Sequence, residues 1–363
     1  MNVLEISPYE PPASGWVTRV KLLRQLIEAR GGTCEILDIG PNRRLARPGC
    51  IPVMGAVDYL AKVVRFARGG FTIHAHVNGE YFRGLLLALA ATAIARLVRT
   101  RCVVTFHAGA VQPFFSGWRG FVLAPVFRLL FLLAHTVVCN SSSVKHVLTL
   151  YAPSRKIEVI PAFSIQYLSY REVALDDTVE RFLERRSPVL STYVCFRDGF
   201  FIDTMIDAIA KLPSKWPDLG LVIVGTGPER ESLERQVSSL GLDRHVILAG
   251  DLGHDAFMTL LRRSTVHIRT PVTDGVSATV LEALTQGVPV VASENGSRPA
   301  GVVSYQATDP ADMARALEHA LNRRHELGVA PCSLAVEDTA SAEVDLLLCS
   351  PQRAETCAAS QAF

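Results

Sequence analysis

Two carboxylates eight positions apart, Asp274 and Glu282, mark the stretch best suited to chemistry: Asp274-Gly275-Val276-Ser277-Ala278-Thr279-Val280-Leu281-Glu282. The first falls in a Gly/Ser loop and the second inside a short predicted helix. Ser277 has the residue type of an N-cap, whose hydroxyl accepts an orphan backbone N–H. Gly287 suits the turn that ends a helix, and Pro289 prevents its continuation. Val288 to Ala292 then reads as a buried strand. The unit is therefore loop, helix, tight turn and strand, with Asp274 just outside the helix N-terminus and Glu282 on its second turn. Free N–H groups and the positive dipole end of a helix favour phosphate. A carboxylate accepts paired hydrogen bonds from vicinal hydroxyls. Such a unit has the means to hold a diphosphate at the helix end over Gly275, Val276, Ser277 and Ala278, a ribose at Glu282 and a sugar at Asp274. An ordinary amphipathic helix leading into a core strand has the same pattern.

Other residues offer chemistry singly. Gly15 begins a helix after the first strand's loop and would let a phosphate or sugar approach backbone amides, or be a plain turn glycine. His107 follows the apolar strand Val103 to Phe106 and could hydrogen-bond sugar hydroxyls or help stabilise a developing positive charge; a lone His is as readily structural. His74 and His76 lie at an earlier strand end. Gly225-Thr226-Gly227-Pro228 closes a strand and opens a helix, a lone G-x-G that is a weak signal for phosphate contact. Arg197 is a candidate bidentate phosphate clamp, although Asp198 beside it could make a local ion pair instead. Arg298 could add a further cation.

These residues need a framework, and the hydropathy pattern supplies one. Val3 to Ile6 reads as a strand, followed by a Pro-rich loop and a helix from Trp16 with apolar residues at helical spacing. Strands and helices alternate through Cys34 to Ile39, Phe71 to His76, Gly84 to Val98, Cys102 to Phe106, Phe121 to Ala134 and Thr136 to Cys139. The pattern weakens between Phe163 and Pro188, read as a connection, and restarts with Val189 to Cys195. It continues through Phe201 to Leu212, Leu221 to Val224, Glu229 to Leu240, Val246 to Ala249, Ala256 to Arg262 and Val266 to Ile268, with a late helix over Met313 to Leu321. This β-α-β rhythm predicts an α/β fold of two Rossmann-like domains, residues 1–165 and 166–330, with parallel sheets facing a cleft. Residues 331–363 form a tail in which Glu337 to Leu348 can be a closing helix.

Composition narrows the class. Of 363 residues 49% are hydrophobic, enough for two cores and too many for a disordered chain. Eight cysteines are scattered without a C-x-x-C pair, which argues against a disulfide framework or zinc site and fits a reducing cytosol. The run from Met1 has no basic, then apolar, leader pattern. The most lipid-like run, Gly120 to Cys139, contains Pro125, Arg128 and His135, so a spanning helix is not expected. Net charge is +2 but uneven: residues 1–165 carry 19 Lys/Arg against 8 Asp/Glu, and the remainder 18 against 27. A basic first half suggests an anionic partner such as a membrane surface or lipid phosphate; no nucleic-acid module is apparent.

The carboxylate stretch resembles the E-x7-E motif of the family 4 retaining glycosyltransferases, with Asp in the place of the first Glu. Other matches fall in the family's order over residues 1 to 325: Ser14-Gly15, the strand Val103 to His107, Val137-Val138-Cys139-Asn140-Ser141, Lys156 to Pro161, and Leu221 to Arg230. The resemblance implies a GT-B fold and transfer of a hexosyl unit from a nucleotide-diphosphate sugar to a glycan or lipid-linked glycan, with retention, in cell-surface polysaccharide assembly. It implies no metal and no cofactor, a cytoplasmic enzyme peripheral to the membrane, Asp274 on the donor sugar and Glu282 on the ribose. Gly225 and Gly227 would line the donor side, and Leu252, between Gly250 and Gly253, would meet the base through its backbone. His107 would complete the cleft beside Gly15. One departure stands out. Relatives carry an Arg and a Lys about five residues apart after the first strand of the second domain; here Ser191 to Phe200 offers only Arg197. That departure leaves a second expectation, a non-catalytic sugar-nucleotide-binding or scaffold protein on the same fold.

Overall fold

The computed structural model describes residues 2–9, 15–78, 81–107, 117–152, 156–272, 277–296, 298–327 and 336–348. The chain divides into two units, one of residues 1–164 joined by the stretch from Glu337 onward, the other Ile165–Val336.

The first unit is built on six parallel strands in the order β2-β1-β3-β4-β5-β6. These are β1 (Asn2–Ser7), β2 (Thr33–Asp38), β3 (Thr72–Val77), β4 (Cys102–Phe106), β5 (Thr136–Cys139) and β6 (Ile157–Val159). Helices α1 (Gly15–Ala29), α2 (Ala56–Arg68), α3 (Phe82–Val98), α4 (Gly117–Leu133) and α5 (Ser142–Tyr151) connect them. A sheet covered on both faces makes near-continuous apolar strands, and all five residues of β4 are buried. Parallel register puts paired residues on the same face. Glu5 pairs with His74, His74 with Val103, and His76 with Thr105. These polar side chains therefore share one face of the sheet. Leu4, Ile6, Ala75, Val104 and Phe106 occupy the opposite face and build the larger core with α2 to α5.

The second unit repeats the plan with the order β12-β11-β10-β7-β8-β9. Its strands are β7 (Val189–Tyr193), β8 (Gly220–Val224), β9 (Val246–Gly250), β10 (Val266–Arg269), β11 (Val290–Ser293) and β12 (Val302–Tyr305), all parallel. The helices are α6 (Asp177–Arg185), α7 (Ile202–Ile209), α8 (Arg230–Ser239), α9 (His254–Arg262), α10 (Ala278–Thr285), α11 (Pro310–Asn322) and the short α12 (Arg324–Leu327). The stretch read as a bare connection holds α6. Val179 is its one fully buried residue, so apolar spacing gave little sign of it, although Asp176 caps it by accepting from Thr178 N at 2.9 Å.

The tail helix α13 (Thr339–Leu348) belongs to the first unit and covers its polar sheet face beside α1. Ala340, Val344 and Leu347 pack against Val3, Leu23, Ile27 and Cys34. Arg19 of α1 holds the helix by charge: its Nε donates to Glu343 Oε2 at 2.8 Å, and Nη1 and Nη2 donate to the hydroxyl and carbonyl of Thr339. The pair is 3% and 2% exposed. Removing one partner of a buried pair strands the other charge out of water and costs about 3–5 kcal/mol. Glu343→Ala should lose stability on that scale in thermal or denaturant unfolding; a loss below about 1 kcal/mol would mean that the pair is effectively solvated.

Candidate functional site

Each unit carries a cluster of polar side chains at the carboxyl ends of its strands, the edge at which open parallel sheets bind ligands.

In the first unit the cluster centres on three histidines. His107 follows β4, held by its amide donating to Val77 O at 2.8 Å. Its Nε2 lies 2.7 Å from His76 Nδ1, and His76 Nε2 lies 2.6 Å from Glu5 Oε2. His74 Nδ1 is 2.8 Å from the same carboxylate oxygen. His74 Nε2 meets Thr105 Oγ1 at 2.7 Å, and that hydroxyl donates to Glu343 Oε1 at 2.9 Å. The indole of Trp16, at the start of α1, stacks on the His107 ring with centroids 4.8 Å apart. A small cavity opens beside His107, bordered by Arg19, Thr105, Asn140, Ala162 and Glu343.

The protonation states follow from these contacts. Burial alone would raise the Glu5 pKa, but the His74 charge and hydrogen bonds from His74 and His76 outweigh it and bring it down to about 2. Burial likewise opposes ionisation of Glu343, and Arg19 and His74 overcome it. For His74, burial works against the charged form, but Glu5 prevails and its pKa rises. Burial and the neighbouring His74 charge push His76 down, and burial with His76, His74 and Arg19 pushes His107 well down. The face thus holds two carboxylates, one imidazolium and one guanidinium, with His76 and His107 neutral.

Glu5, His74 and His76 also bring three ligand-type atoms within 4.8 Å of one another. Ligands at about 2.0–2.1 Å around a tetrahedral metal sit roughly 3.3 Å apart. The separations of 2.6 and 2.8 Å to Glu5 Oε2 are those of proton-mediated contacts instead.

In the second unit α10 stands at the end of β10. Ser277 occupies its N-cap position with extended backbone, yet the expected side-chain cap is absent. Its hydroxyl turns to Thr279 Oγ1 at 3.2 Å, and Thr279 Oγ1 meets His267 Nε2 at 3.0 Å. The other ring nitrogen of His267 faces Ser191 Oγ at 3.4 Å. Burial, with Arg269 nearby, lowers the His267 pKa to about 3, so this buried ring is a neutral link between β7, β10 and α10. Gly287 ends the helix with φ +74°, as the sequence predicts. Ala278 opens α10; Asp274, Gly275 and Val276 lie outside the described residues.

Glu282 sits midway along α10 and is 5% exposed. No hydrogen bond or ion pair from a described residue reaches its carboxyl, and burial raises its pKa to about 8. A buried acid without a partner stays protonated near neutrality.

The remaining candidates separate by role. Gly225 has φ +132°, and a Cβ there would lie 1.8 Å from Val194 O; at Gly227 it would lie 2.3 Å from Phe196 O. Both glycines admit the backbone that follows β7, and the Gly225 amide is spent on Gly250 O at 2.7 Å. Packing therefore requires glycine at both positions, and the Gly225 amide is engaged within the fold. Arg298 also has a structural role. Its Nε donates to Ser293 O at 2.7 Å and Nη2 to Pro271 O at 2.6 Å, so it staples the ends of β10 and β11. Arg197 is half-buried, its guanidinium 4.9 Å from the Phe200 ring centroid. Leu252 is partly buried, with its carbonyl 3.4 Å from the Tyr193 hydroxyl. Gly15 is exposed, with open space where a Cβ would stand.

Sequence reasoning did not single out Glu5, Arg19, Trp16, Glu343 or His267. The one available signal was a charged or imidazole residue inside an apolar strand, as at Glu5 and His267, since such residues are buried only with partners.

Comparison with known proteins gives the class. Residues 34–163 match the family model "Glycosyltransferase Family 4" and residues 201–327 match "Glycosyl transferases group 1", together well over half the chain. The chain belongs to the group 1, family 4 type glycosyltransferases. The GDP-mannose-dependent alpha-(1-6)-phosphatidylinositol monomannoside mannosyltransferase of Mycolicibacterium smegmatis is 33% identical over 111 residues, 28% of this chain and 28% of that protein. The 2-deoxystreptamine N-acetyl-D-glucosaminyltransferase of Niallia circulans is 25% identical over 31% of this chain and 29% of its own length. The matched stretches thus span less than a third of these relatives. Among solved structures, Anabaena HepE in complex with UDP-glucose aligns over 99% of this chain and 100% of its own, with TM-score 0.65 and 17% identity. Trehalose-6-phosphate synthase from Burkholderia multivorans aligns over 100% and 98%, with TM-score 0.66 and 16% identity. The fold is GT-B, two Rossmann-like parallel sheets.

The raised Glu282 pKa has a stability consequence. The folded chain keeps a proton that the unfolded chain releases above the ordinary carboxylate range, so this group lowers stability as pH rises toward 8. Glu282→Gln should melt with the wild type near pH 5 and above it at pH 8. Parallel melting curves across that range would contradict a raised pKa at Glu282.

Proposed function

We propose that this chain transfers a hexosyl unit from a nucleotide-diphosphate sugar to a hydroxyl of a glycan or lipid-linked glycan. The observation that carries the reading is Glu282: a carboxyl held nearly out of water on α10 with no described partner, in a chain of this family. Such a group, without compensation from any described residue, suits a ligand that supplies the hydrogen bonds, and vicinal ribose hydroxyls do so in pairs. Asp274, eight residues earlier, is proposed to take the donor sugar. Arg197 and the amides at the start of α10 would stabilise charge on the departing diphosphate. His107 and the Gly15 turn are assigned to the sugars. We further propose retention of anomeric configuration, no metal, and a role in cell-surface polysaccharide assembly. The relatives support the substrate class, one being named a phosphatidylinositol mannoside mannosyltransferase, and HepE was solved with UDP-glucose.

The membrane contact expected of the basic first half has a candidate surface. Among the described residues no helix is long and apolar enough to cross a membrane. Helix α4 exposes Phe121 (85%), Val122 (58%) and Leu129 (49%), the last beside the exposed Arg128, and α3 exposes Leu97 (83%) beside Arg96. Apolar side chains flanked by arginine suit an anionic interface.

Two experiments test these readings. Nucleotide sugars are screened by thermal shift and by diphosphate release, on wild type and Glu282→Ala. Stabilisation by one donor, lost in the variant and accompanied by slow release, is the expected result. Stabilisation without release in the presence of membrane acceptors would point to the non-catalytic binding protein, which the single cation at Arg197 would then explain; no stabilisation by any donor would overturn both. For the surface, Arg128→Glu should weaken binding to phosphatidylglycerol vesicles by about fivefold or more, at about 1 kcal/mol per charge, and leave neutral vesicles unaffected. Unchanged binding would remove α4 from the contact.

A further inference from the structure

The hydrogen bonds behind His107 fix more than its position. A carboxylate only accepts, so the 2.6 Å contact between Glu5 Oε2 and His76 Nε2 puts the proton on Nε2. A neutral imidazole carries one proton, which leaves His76 Nδ1 as an acceptor. His107 Nε2, 2.7 Å away, must then be the donor. His107 is neutral in turn, so its Nδ1 carries a lone pair. No described residue hydrogen-bonds that atom.

We propose that Glu5 and His76 are positioning residues that lock His107 in the Nε2-protonated tautomer, so that its Nδ1 accepts a hydrogen bond from a substrate hydroxyl. This deepens the glycosyl-transfer reading and rests on it for the identity of the hydroxyl. The tautomer itself does not depend on that reading.

The surrounding groups make the lock one-directional. Glu5 is fully buried and ion-paired to His74, so it has no low-energy state in which it donates. His74 is paired by charge with Glu5 through Nδ1 and donates from Nε2 to Thr105, whose own proton goes to Glu343. Arg19 holds Glu343 from the other side. Trp16 stacks on the ring face of His107 and restrains its rotation. The ionisable groups that face the relay among the described residues are Glu5 from β1, the Cys34 thiol from β2, kept neutral chiefly by burial, His74 and His76 from β3, Arg19 from α1 and Glu343 from α13. An acceptor atom at His107 discriminates in favour of hydroxyl donors and against an ether or carbonyl oxygen at the same place.

The test is nitrogen NMR on the full chain with 15N-labelled histidine, with the His107 resonances assigned by their disappearance in His107→Gln. The expected result is a single neutral tautomer, Nε2 bearing the proton and Nδ1 bare, constant from pH 6 to 8. In Glu5→Gln and in His76→Gln the His107 signals should shift to a mixture of tautomers. A merely structural role for Glu5 would leave the tautomer untouched in any variant that folds. An Nδ1-protonated, averaged or cationic His107 in the wild type would overturn the proposal without reference to any variant. A fixed tautomer that survives both substitutions would remove Glu5 and His76 as its cause. Failure of the transferase reading shows separately, in the donor screen.

Discussion

A carboxylate taken out of water must be paired or it must hold a proton. Four carboxyls among the described residues are nearly inaccessible, and the constraint treats them differently; one of them, Asp38, is ion-paired to Arg47. Glu5 and Glu343 are paired, to His74 and Arg19, and remain ionised. Glu282 has no described partner and keeps its proton to about pH 8. Much of the structure follows from those assignments. The C-terminal helix is drawn onto the first sheet because Arg19 and His74 together need a second anion, and Glu343 supplies it. His76 and His107 are neutral because burial, and then the positive charge beside them, disfavours their ionised forms.

The arrangement also separates rigidity from reactivity. In the first unit the charges are internally balanced behind His107, whose ring lies beneath a stacked indole. In the second, His267 ties β7, β10 and α10 together as a neutral link, and Arg298 staples the ends of β10 and β11. These contacts fix the backbone around α10 without using Glu282. Glu282 is already desolvated on its helix and has no partner among the described residues.

Much of the fold was legible in the sequence because parallel strands buried on both faces are apolar runs, and helices between them have a clear period. The unit from Ser277 to Ser293 was read nearly residue by residue, down to Gly287 with positive φ. Local spacing failed where partners come from far away. Glu343 reaches Arg19 across more than three hundred residues, and nothing near Arg19 advertises the pairing. The same holds for Glu5 and His76, which become neighbours only through the register of adjacent strands. At Gly225 and Gly227 the packing requirement was not legible for a related reason: the backbone that passes over them is remote in sequence. Ser277 had the right residue at the cap position, but a buried histidine on another strand drew its network away.

The central claim is that Glu282 is a protonated acid reserved for a ligand's hydroxyls. It is tested most directly by calorimetry of nucleoside diphosphate binding at pH 7 in buffers of different ionisation enthalpy. If the ribose takes up the ionised carboxylate, binding should release close to one proton, and Glu282→Gln should abolish that release. Binding with no proton release in the wild type would contradict the claim, because the carboxyl would then be either already ionised or uninvolved.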